Sequence, residues 1–290
     1  MYDVIIIGAG PAGITAGLYT QRGNLKTLII HNGKTSLESA SKIENYYGFE
    51  NGITGKELYF KGIKQAQNIG IDVKSEEVIR LEMIENCFKV KTTKNEYISK
   101  TIIIAMGTKK RTLPIEGIKK FEGKGIGYCA ICDGFFYRNK DVAVIGNGDY
   151  AISEINDLLP VANRITLLTN GNQVPNVRGE KIQIDNRTIK EILGNNKVEK
   201  VEFVDGTDIK VDGVFIAQGT ADSTDIAKKI GLVLENNKIK VNENMETNIK
   251  GIYACGDCIG GTLQISKVVN DGMIAGLNVI RFFSNYKQNL

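Results

Sequence analysis

Residues 4–7, Val-Ile-Ile-Ile, form an apolar strand that runs into Gly8-Ala9-Gly10-Pro11-Ala12-Gly13, and a helical stretch of small and apolar residues follows through Ile14, Ala16 and Leu18. A second strand, Leu25 to Ile30, ends at His31. The polar residues from Ser36 to Gly48 predict a loop, and the spacing over residues 56–69 predicts an amphipathic helix. Residues 71–104 alternate as strands do, with Val78 and Ile79 in one, Cys87 to Val90 in another and Ile102 to Ile104 in a third. Ala105-Met106-Gly107 closes the third strand, and Lys109 to Pro114 reads as a linker that crosses between domains.

From about Leu113 the strand, turn and helix pattern repeats. Val142 to Ile145 leads into Gly146-Asn147-Gly148-Asp149-Tyr150-Ala151, then a helix through Ile152, Ile155 and Leu158 that Pro160 helps to end. Arg164 to Leu168 is the next strand, and Val214 to Gly219 is a buried strand that leaves this unit near residue 220. The loop Asn242 to Asn248 leads back to Gly251-Ile252-Tyr253-Ala254-Cys255-Gly256-Asp257-Cys258. A last helix, roughly Lys267 to Phe283, carries Gly272, Ala275 and Gly276, which suit close packing on a cofactor or a partner helix. Phe282, Phe283 and Tyr286 are expected to cap a core or a dimer contact.

Both glycine clusters have the form of a dinucleotide fingerprint. Gly8 permits the tight turn, Gly10 lets backbone N–H groups approach a pyrophosphate, and Gly13 lets helix and strand pack closely. The helix N-terminus adds a partial positive charge for phosphates. The second cluster is the G-x-G-x-x-A variant. A residue that reads the ribose belongs at the end of the following strand. His31 stands there in the first unit, and Thr169-Asn170-Gly171-Asn172-Gln173 in the second, which has neither an acid for NAD nor an arginine for a 2′-phosphate. Tyr150 is expected to set a large ring at the second helix entrance, where a pyrophosphate needs bare backbone.

Charge and cysteine usage narrow the chemistry. Lys plus Arg is 37 against 33 for Asp plus Glu, and a net charge of +4 is too mild and dispersed to argue for nucleic acid, though it modestly favours an acidic protein partner. No basic leader precedes the first strand and no apolar run approaches about 18 residues, so a soluble, cytosolic protein is expected. At 290 residues, two domains are expected. Cys87 is alone on an alternating strand and reads as a buried small hydrophobe. Cys129 with Cys132, and Cys255 with Cys258, form two CxxC pairs, which in a reducing compartment point to redox or metal chemistry. A two-residue spacer suits a dithiol in which one sulfur attacks and the other resolves, whereas all four cysteines together suit a zinc site.

Five stretches in one order carry a resemblance: Gly8 to Gly13, Glu44-Asn45, Ala105-Met106-Gly107, Cys129-Ala130-Ile131-Cys132-Asp133-Gly134-Phe135-Phe136 and Gly256-Asp257. The chain resembles the low-molecular-weight thioredoxin reductases over essentially its whole length. That resemblance implies an α/β fold of two Rossmann-like three-layer nucleotide-binding domains, the second inserted into the first. An FAD-binding domain would span residues 1–112 and 243–290, and residues 113–242 would form a redox domain with the CxxC and a degenerate pyridine-nucleotide-type fold. A homodimer and thioredoxin as substrate are also implied. By position, Gly8, Gly10, Pro11, Ala12 and Gly13 would hold the FAD pyrophosphate, and Asn45, Ala105 and Gly107 would approach the flavin or its ribityl chain. Of Gly256-Asp257, Asp257 would bond a ribityl hydroxyl, Gln264 and Ile265 would lie beside the isoalloxazine, and His31 and Val78 near the adenosine. Cys132 would face the flavin, Cys129 would attack the partner disulfide, and Asp133 would protonate the departing thiolate.

Two departures refine the expectation. The family's glycine-glycine-glutamine stretch is replaced by Lys34-Thr35-Ser36-Leu37, and its basic grip on the NADPH 2′-phosphate is absent at Thr169-Asn170-Gly171. In this the chain is most similar to the clostridial ferredoxin-dependent flavin thioredoxin reductases, which implies ferredoxin as electron donor. NADPH or NADH bound in an unusual pocket at Gly146 to Ala151, and a flavin-bearing redox sensor, stay open as alternatives. Zinc is set aside, because Cys255 and Cys258 straddle residues expected to meet FAD and the other pair belongs to a different domain. A CxxC cannot touch a buried flavin and a partner disulfide at once, so the inserted domain is expected to rotate about linkers near Lys110 to Pro114 and Asn242 to Lys250. Lys109, Lys110, Arg111, Lys119 and Lys120 are a candidate docking face for an acidic partner, with a solvated surface as the alternative.

Overall fold

Val4 to Ile7, Leu28 to Ile30 and Ile102 to Ile104 are continuous apolar runs, and such runs find partners only where helices or further chain cover both faces of a sheet. The structure, a computed structural model that describes residues 1–108, 113–219 and 222–288 with side chains through Asn285, places them at the centre of one. Among the described residues this sheet has seven strands, in the order Asp72–Ser75, Thr27–His31, Tyr2–Ile7, Glu96–Ile104, Cys87–Thr92 and Val78–Ile84, with Ile252–Ala254 paired to the end of Glu96–Ile104. Pairing is parallel from Asp72–Ser75 through Glu96–Ile104 and antiparallel in the remaining hairpins. Each fully buried isoleucine here contributes about 1.5–3 kcal/mol of transfer free energy.

Helix Pro11–Arg22 packs against the last helix, Ile265–Gln288, through the small residues noted in the sequence. A Cβ at Gly272 would run into the Ala12 carbonyl, and one at Gly276 would lie 2.9 Å from the Ala16 carbonyl oxygen, so the helices touch backbone to backbone. Phe283 is buried in this core and Phe282 packs on it. The expected amphipathic helix runs Gly55–Asn68, opened by a capping box between Thr54 and Glu57. The expected loop at 36–48 contains a short 3-10 turn, Ser36–Ser39, whose N-cap Thr35 accepts the Leu37 N–H. Cys87 is half-buried at the start of its strand rather than buried as expected, because it begins the hairpin where the sheet meets solvent.

The second unit repeats the plan. Strands Ile182–Asp185, Arg164–Leu168, Asp141–Ile145, Gly213–Ile216 and Ile126–Gly127 form a parallel sheet in that order among the described residues, and Ile189–Leu193, Lys200–Phe203 and Asp208–Lys210 form an antiparallel meander. Phe121, Phe203, Val214 and Ile192 are among the residues of its own core.

The chain divides into Met1–Lys109 with Asp222–Leu290, and Lys110–Ala221. The second crossing therefore comes where the buried strand was expected to end, near 220, and not at 243 as the family resemblance implied. Helix Ser223–Ile230 starts with an Asp222/Asp225 capping box, and the Ser223 hydroxyl donates to the Gly107 carbonyl at 3.1 Å, which ties this segment into the first unit. Asn242 to Lys250 thus lies within that unit; Lys109 to Thr112, and Thr220 with Ala221, lie outside the described residues. Among the described residues no helix is long and apolar enough to cross a membrane.

Candidate active site

In the first unit, the ends of three parallel strands converge on the first glycine turn. Gly8 has φ +115°, and a Cβ there would run into the Ala105 carbonyl, so turn and neighbour both require glycine. Gly13 is equally confined by the Gly8 carbonyl. Gly10 differs: it caps helix Pro11–Arg22 with extended backbone and has nothing within 4 Å of its Cβ position. The result is open space over a helix N-terminus whose early N–H groups await an acceptor, the shape a pyrophosphate fills. Ala105 and Gly107 follow the neighbouring strand, with the Ala105 N–H bonded to the Ile7 carbonyl at 2.8 Å and open space at Gly107. A Cβ at Gly256 would lie 3.0 Å from that of Ala12, and the Gly256 N–H donates to Asp271 at 3.2 Å.

The remaining candidates fall around the same edge. Asn45 and Gln264, which are 219 positions apart, meet in a hydrogen bond of 3.0 Å at the start of helix Ile265–Gln288. Lys238 and Lys267 donate to the Asp257 and Gly260 carbonyls at 3.2 and 2.6 Å and brace the turn that carries Asp257, while Lys267 also pairs with the buried Asp271 at 2.7 Å. His31 receives the Gly33 N–H at 3.1 Å and lies 2.9 Å from the Tyr59 hydroxyl, with burial holding its imidazole below the ordinary value. Glu76, two residues before the buried Val78, donates its N–H to the His31 carbonyl. Cys255 and Cys258 are fully buried thiols, the former pushed well up and the latter to about 12, chiefly by desolvation.

In the second unit, Cys129 and Cys132 form a disulfide with Cα atoms 5.3 Å apart. Cys129 caps the short helix Ala130–Asp133, and its sulfur accepts the Cys132 N–H at 3.3 Å. Cys129 is 2% exposed whereas Cys132 is exposed, so the second cysteine is the more accessible residue of the pair. The Asp133 carboxylate is turned toward Gly127, and burial, aided by the charges of Asp133 and Asp212, raises the Tyr137 hydroxyl above its ordinary value. Phe135 and Phe136 follow at 70% and 69% exposure.

The second glycine turn has the same backbone logic as the first. A Cβ at Gly146 would run into the Ala217 carbonyl, and Gly148 has open space. Tyr150 does not block it: the ring is fully buried and its hydroxyl donates to the Tyr128 carbonyl at 3.1 Å, because its position on helix Asp149–Leu158 points inward under the redox segment and not out over the N-terminus. Two residues of this helix escaped the sequence reading. Asp149 puts an acid in the first turn, and the fully buried Glu154 accepts the Ala130 N–H at 2.6 Å. A glutamate amid Ala151, Ile155 and Leu158 looks like an ordinary helix former until its carboxylate is seen to be buried.

The pyridine nucleotide-disulphide oxidoreductase family signature covers residues 2–272. Thioredoxin reductase from Listeria innocua is 36% identical over 310 residues, covering 100% of this chain and 96% of the relative. The chain belongs to the low-molecular-weight thioredoxin reductase family. An atypical thioredoxin reductase from Desulfovibrio vulgaris Hildenborough superposes with a TM-score of 0.89 at 32% identity, covering 98% of this chain and 99% of that one. A ferredoxin-flavin thioredoxin reductase from Clostridium acetobutylicum superposes with 0.70 at 34% identity, covering 98% of each. As a thioredoxin reductase-type disulfide oxidoreductase, the protein is a flavoenzyme with FAD as cofactor, and the open backbone at Gly10 and Gly107 fits that group.

Proposed function

We propose that this flavoenzyme reduces the disulfide of thioredoxin with electrons from reduced ferredoxin, the first unit binding FAD and the second carrying the redox pair. Gly8, Gly10, Pro11, Ala12 and Gly13 would hold the pyrophosphate, with Asn45, Ala105, Gly107, Asp257, Gln264 and Ile265 toward the flavin end and His31 and Val78 toward the adenosine. FAD supplies the electron store between a one-electron donor and a two-electron acceptor. The observation that carries the reading is the self-contained Cys129–Cys132 disulfide beside an exposed apolar rim of Ile131, Phe135 and Phe136.

The chemistry of the pair follows from thiol exchange. Two electrons and two protons open the Cys129–Cys132 bond; one thiolate then attacks a sulfur of the partner disulfide, whose other sulfur leaves and takes a proton, the role proposed for Asp133. The second thiol attacks the mixed disulfide, re-forms Cys129–Cys132 and releases the partner as a dithiol. Because Cys129 is buried, its attack on a partner requires its sulfur to be uncovered, which a rotation of the redox unit as one body is proposed to do. A homodimer is the proposed assembly, and sedimentation at a single-chain mass would overturn it.

The donor assignment is supported by the loop after strand Arg164–Leu168. The Thr169 hydroxyl donates to the Asn172 carbonyl at 3.0 Å, Asn172 returns a bond to the Thr169 carbonyl at 2.8 Å, and the Asn170 side chain accepts the Ile189 N–H at 2.8 Å. Where a 2′-phosphate needs cations, the loop is folded upon itself, and Arg187 is paired with Asp185. Asp149 adds a negative charge in the first turn beside Gly148. A nicotinamide donor is the second reading, favoured by the open backbone at Gly148. Anaerobic mixing with NADPH, NADH or reduced ferredoxin, followed by flavin bleaching and thioredoxin reduction, separates them. Ferredoxin is expected to drive both; rapid bleaching by a nicotinamide would overturn the donor assignment.

A further inference from the structure

Helix Asp149–Leu158 holds the redox segment at two points, one on each side of Cys129. The Tyr150 hydroxyl donates to the carbonyl of Tyr128, the residue before it, and the Glu154 carboxylate accepts the N–H of Ala130, the residue after it. Tyr150 and Glu154 stand four positions apart and so project from one helix face. Both are fully buried, and Ala130 is 1% exposed. A carboxylate is costly to bury unless it is hydrogen-bonded, whereas an apolar side chain would fill the same helix face without that cost. Its presence beneath the reactive pair, aimed at the peptide unit next to Cys129, points to what the pair needs.

We propose that Glu154 and Tyr150 are positioning residues that hold the backbone on both sides of Cys129 while the Cys129–Cys132 bond opens and closes. In the oxidised form the bond itself keeps the two Cα atoms 5.3 Å apart. Once two electrons and two protons have converted it to a dithiol, only the surrounding structure does so. The short helix Ala130–Asp133 is a single turn of four residues and cannot hold its own N-terminus in place. The two pins fix the peptide units of Tyr128 and Ala130, which leaves the Cys129 sulfur at the Cys132 N–H, 3.3 Å away in the oxidised form. The effective concentration of one sulfur at the other therefore stays high in the dithiol. The same proximity shortens the life of a mixed disulfide, because the resolving sulfur is always within reach of the sulfur it must attack. Helix Asp149–Leu158, whose turn has the form of a nucleotide site, thereby serves the redox pair with its inward face.

The proposal rests on Cys129–Cys132 being the redox pair and is independent of thioredoxin and of the donor. The test equilibrates FAD-loaded protein with graded ratios of reduced to oxidised dithiothreitol, alkylates the thiols and quantifies the pair by mass spectrometry. Loss of a buried hydrogen bond corresponds to roughly a tenfold change in such an equilibrium. Glu154→Leu is expected to shift the midpoint about tenfold toward the dithiol, and Tyr150→Phe, which keeps the ring, about threefold. Glu154→Gln retains an acceptor for the Ala130 N–H and is expected to stay within about twofold of wild type. An unshifted midpoint in folded Glu154→Leu and Tyr150→Phe overturns the proposal, even if their melting temperatures fall. Should Glu154→Leu fail to fold, Tyr150→Phe decides alone. If the wild-type pair never closes in this titration, the reading of Cys129–Cys132 itself fails, a result distinct from an unshifted variant.

Discussion

The turn at Gly8 to Gly13 and the turn at Gly146 to Ala151 share a backbone and differ in what their helices carry. In both, the first glycine is pressed against a carbonyl of the adjacent strand end, Ala105 in one and Ala217 in the other, and the second glycine, Gly10 or Gly148, borders open space. Their inward faces diverge. Helix Pro11–Arg22 presents Ala12 and Ala16 to the backbone of Gly272 and Gly276, while helix Asp149–Leu158 presents Tyr150 and Glu154 to the redox segment. Their first turns diverge as well, with Pro11 in one and Asp149 in the other. A nucleotide-type turn can thus persist because strand, helix and neighbouring carbonyl must pack, whether or not phosphate binds there. The cofactor is chosen by the side chains added around the turn.

The comparison predicts most sharply where the redox pair is removed. Cys129→Ser and Cys132→Ser are each expected to lower partner-disulfide reduction by more than about 1000-fold while the flavin spectrum survives, since a lone thiol cannot complete exchange. The two glycines that border open space give the next test. Alanine at Gly10 fits the protein but crowds a pyrophosphate, so Gly10→Ala should weaken FAD retention by about 10- to 100-fold, as read by flavin release on gel filtration. Gly148→Ala fits equally well and should leave ferredoxin-driven turnover unchanged; a matching loss there would mean that the second turn binds a nucleotide after all.

Cysteine labelling at pH 8 makes a smaller distinction within the first unit. Burial raises the Cys255 and Cys258 thiols, so both are protonated and enclosed, and iodoacetamide is expected to modify the half-buried Cys87 while sparing them until unfolding. The smallest effect concerns His31. Burial lowers its pKa, so the unfolded chain takes up the proton first as pH falls, and the first unit loses stability as pH drops through about 6.5. Denaturant unfolding across that range should show the slope, and His31→Gln should flatten it.

Much of this was legible locally. The strand runs, both glycine turns, the small-residue stripe at Gly272, Ala275 and Gly276, and the redox cysteines are short-range patterns whose physical meaning needs few neighbours. The family resemblance set Asn45 and Gln264 each near the flavin, but their hydrogen bond to one another came only from the structure, because no local rule joins residues so far apart. Tyr150 was misread for the same reason: its position in the helix was clear, but whether the ring lay over the N-terminus or beneath the redox segment depended on which space the packed chain left vacant. The boundary at Asp222 was visible in the strand that ends near 220, and the resemblance pulled it away to 243.

The sequence by itself determined two α/β units, a glycine turn of dinucleotide form between strand and helix, a CxxC with the spacing that a cycling dithiol needs, and a second turn whose following strand ends in neither an acid nor an arginine. These follow from residue type and spacing, which act over a few bonds or one turn of helix. Only the tertiary structure decided that Tyr150 points inward, that Glu154 is a buried carboxylate under Ala130, and that Cys255 and Cys258 are enclosed and hard to ionise. Burial and the direction of a side chain are set by all the elements that pack around it, and they decide whether a polar group is a helix former, an obstacle or a brace for the chemistry beside it.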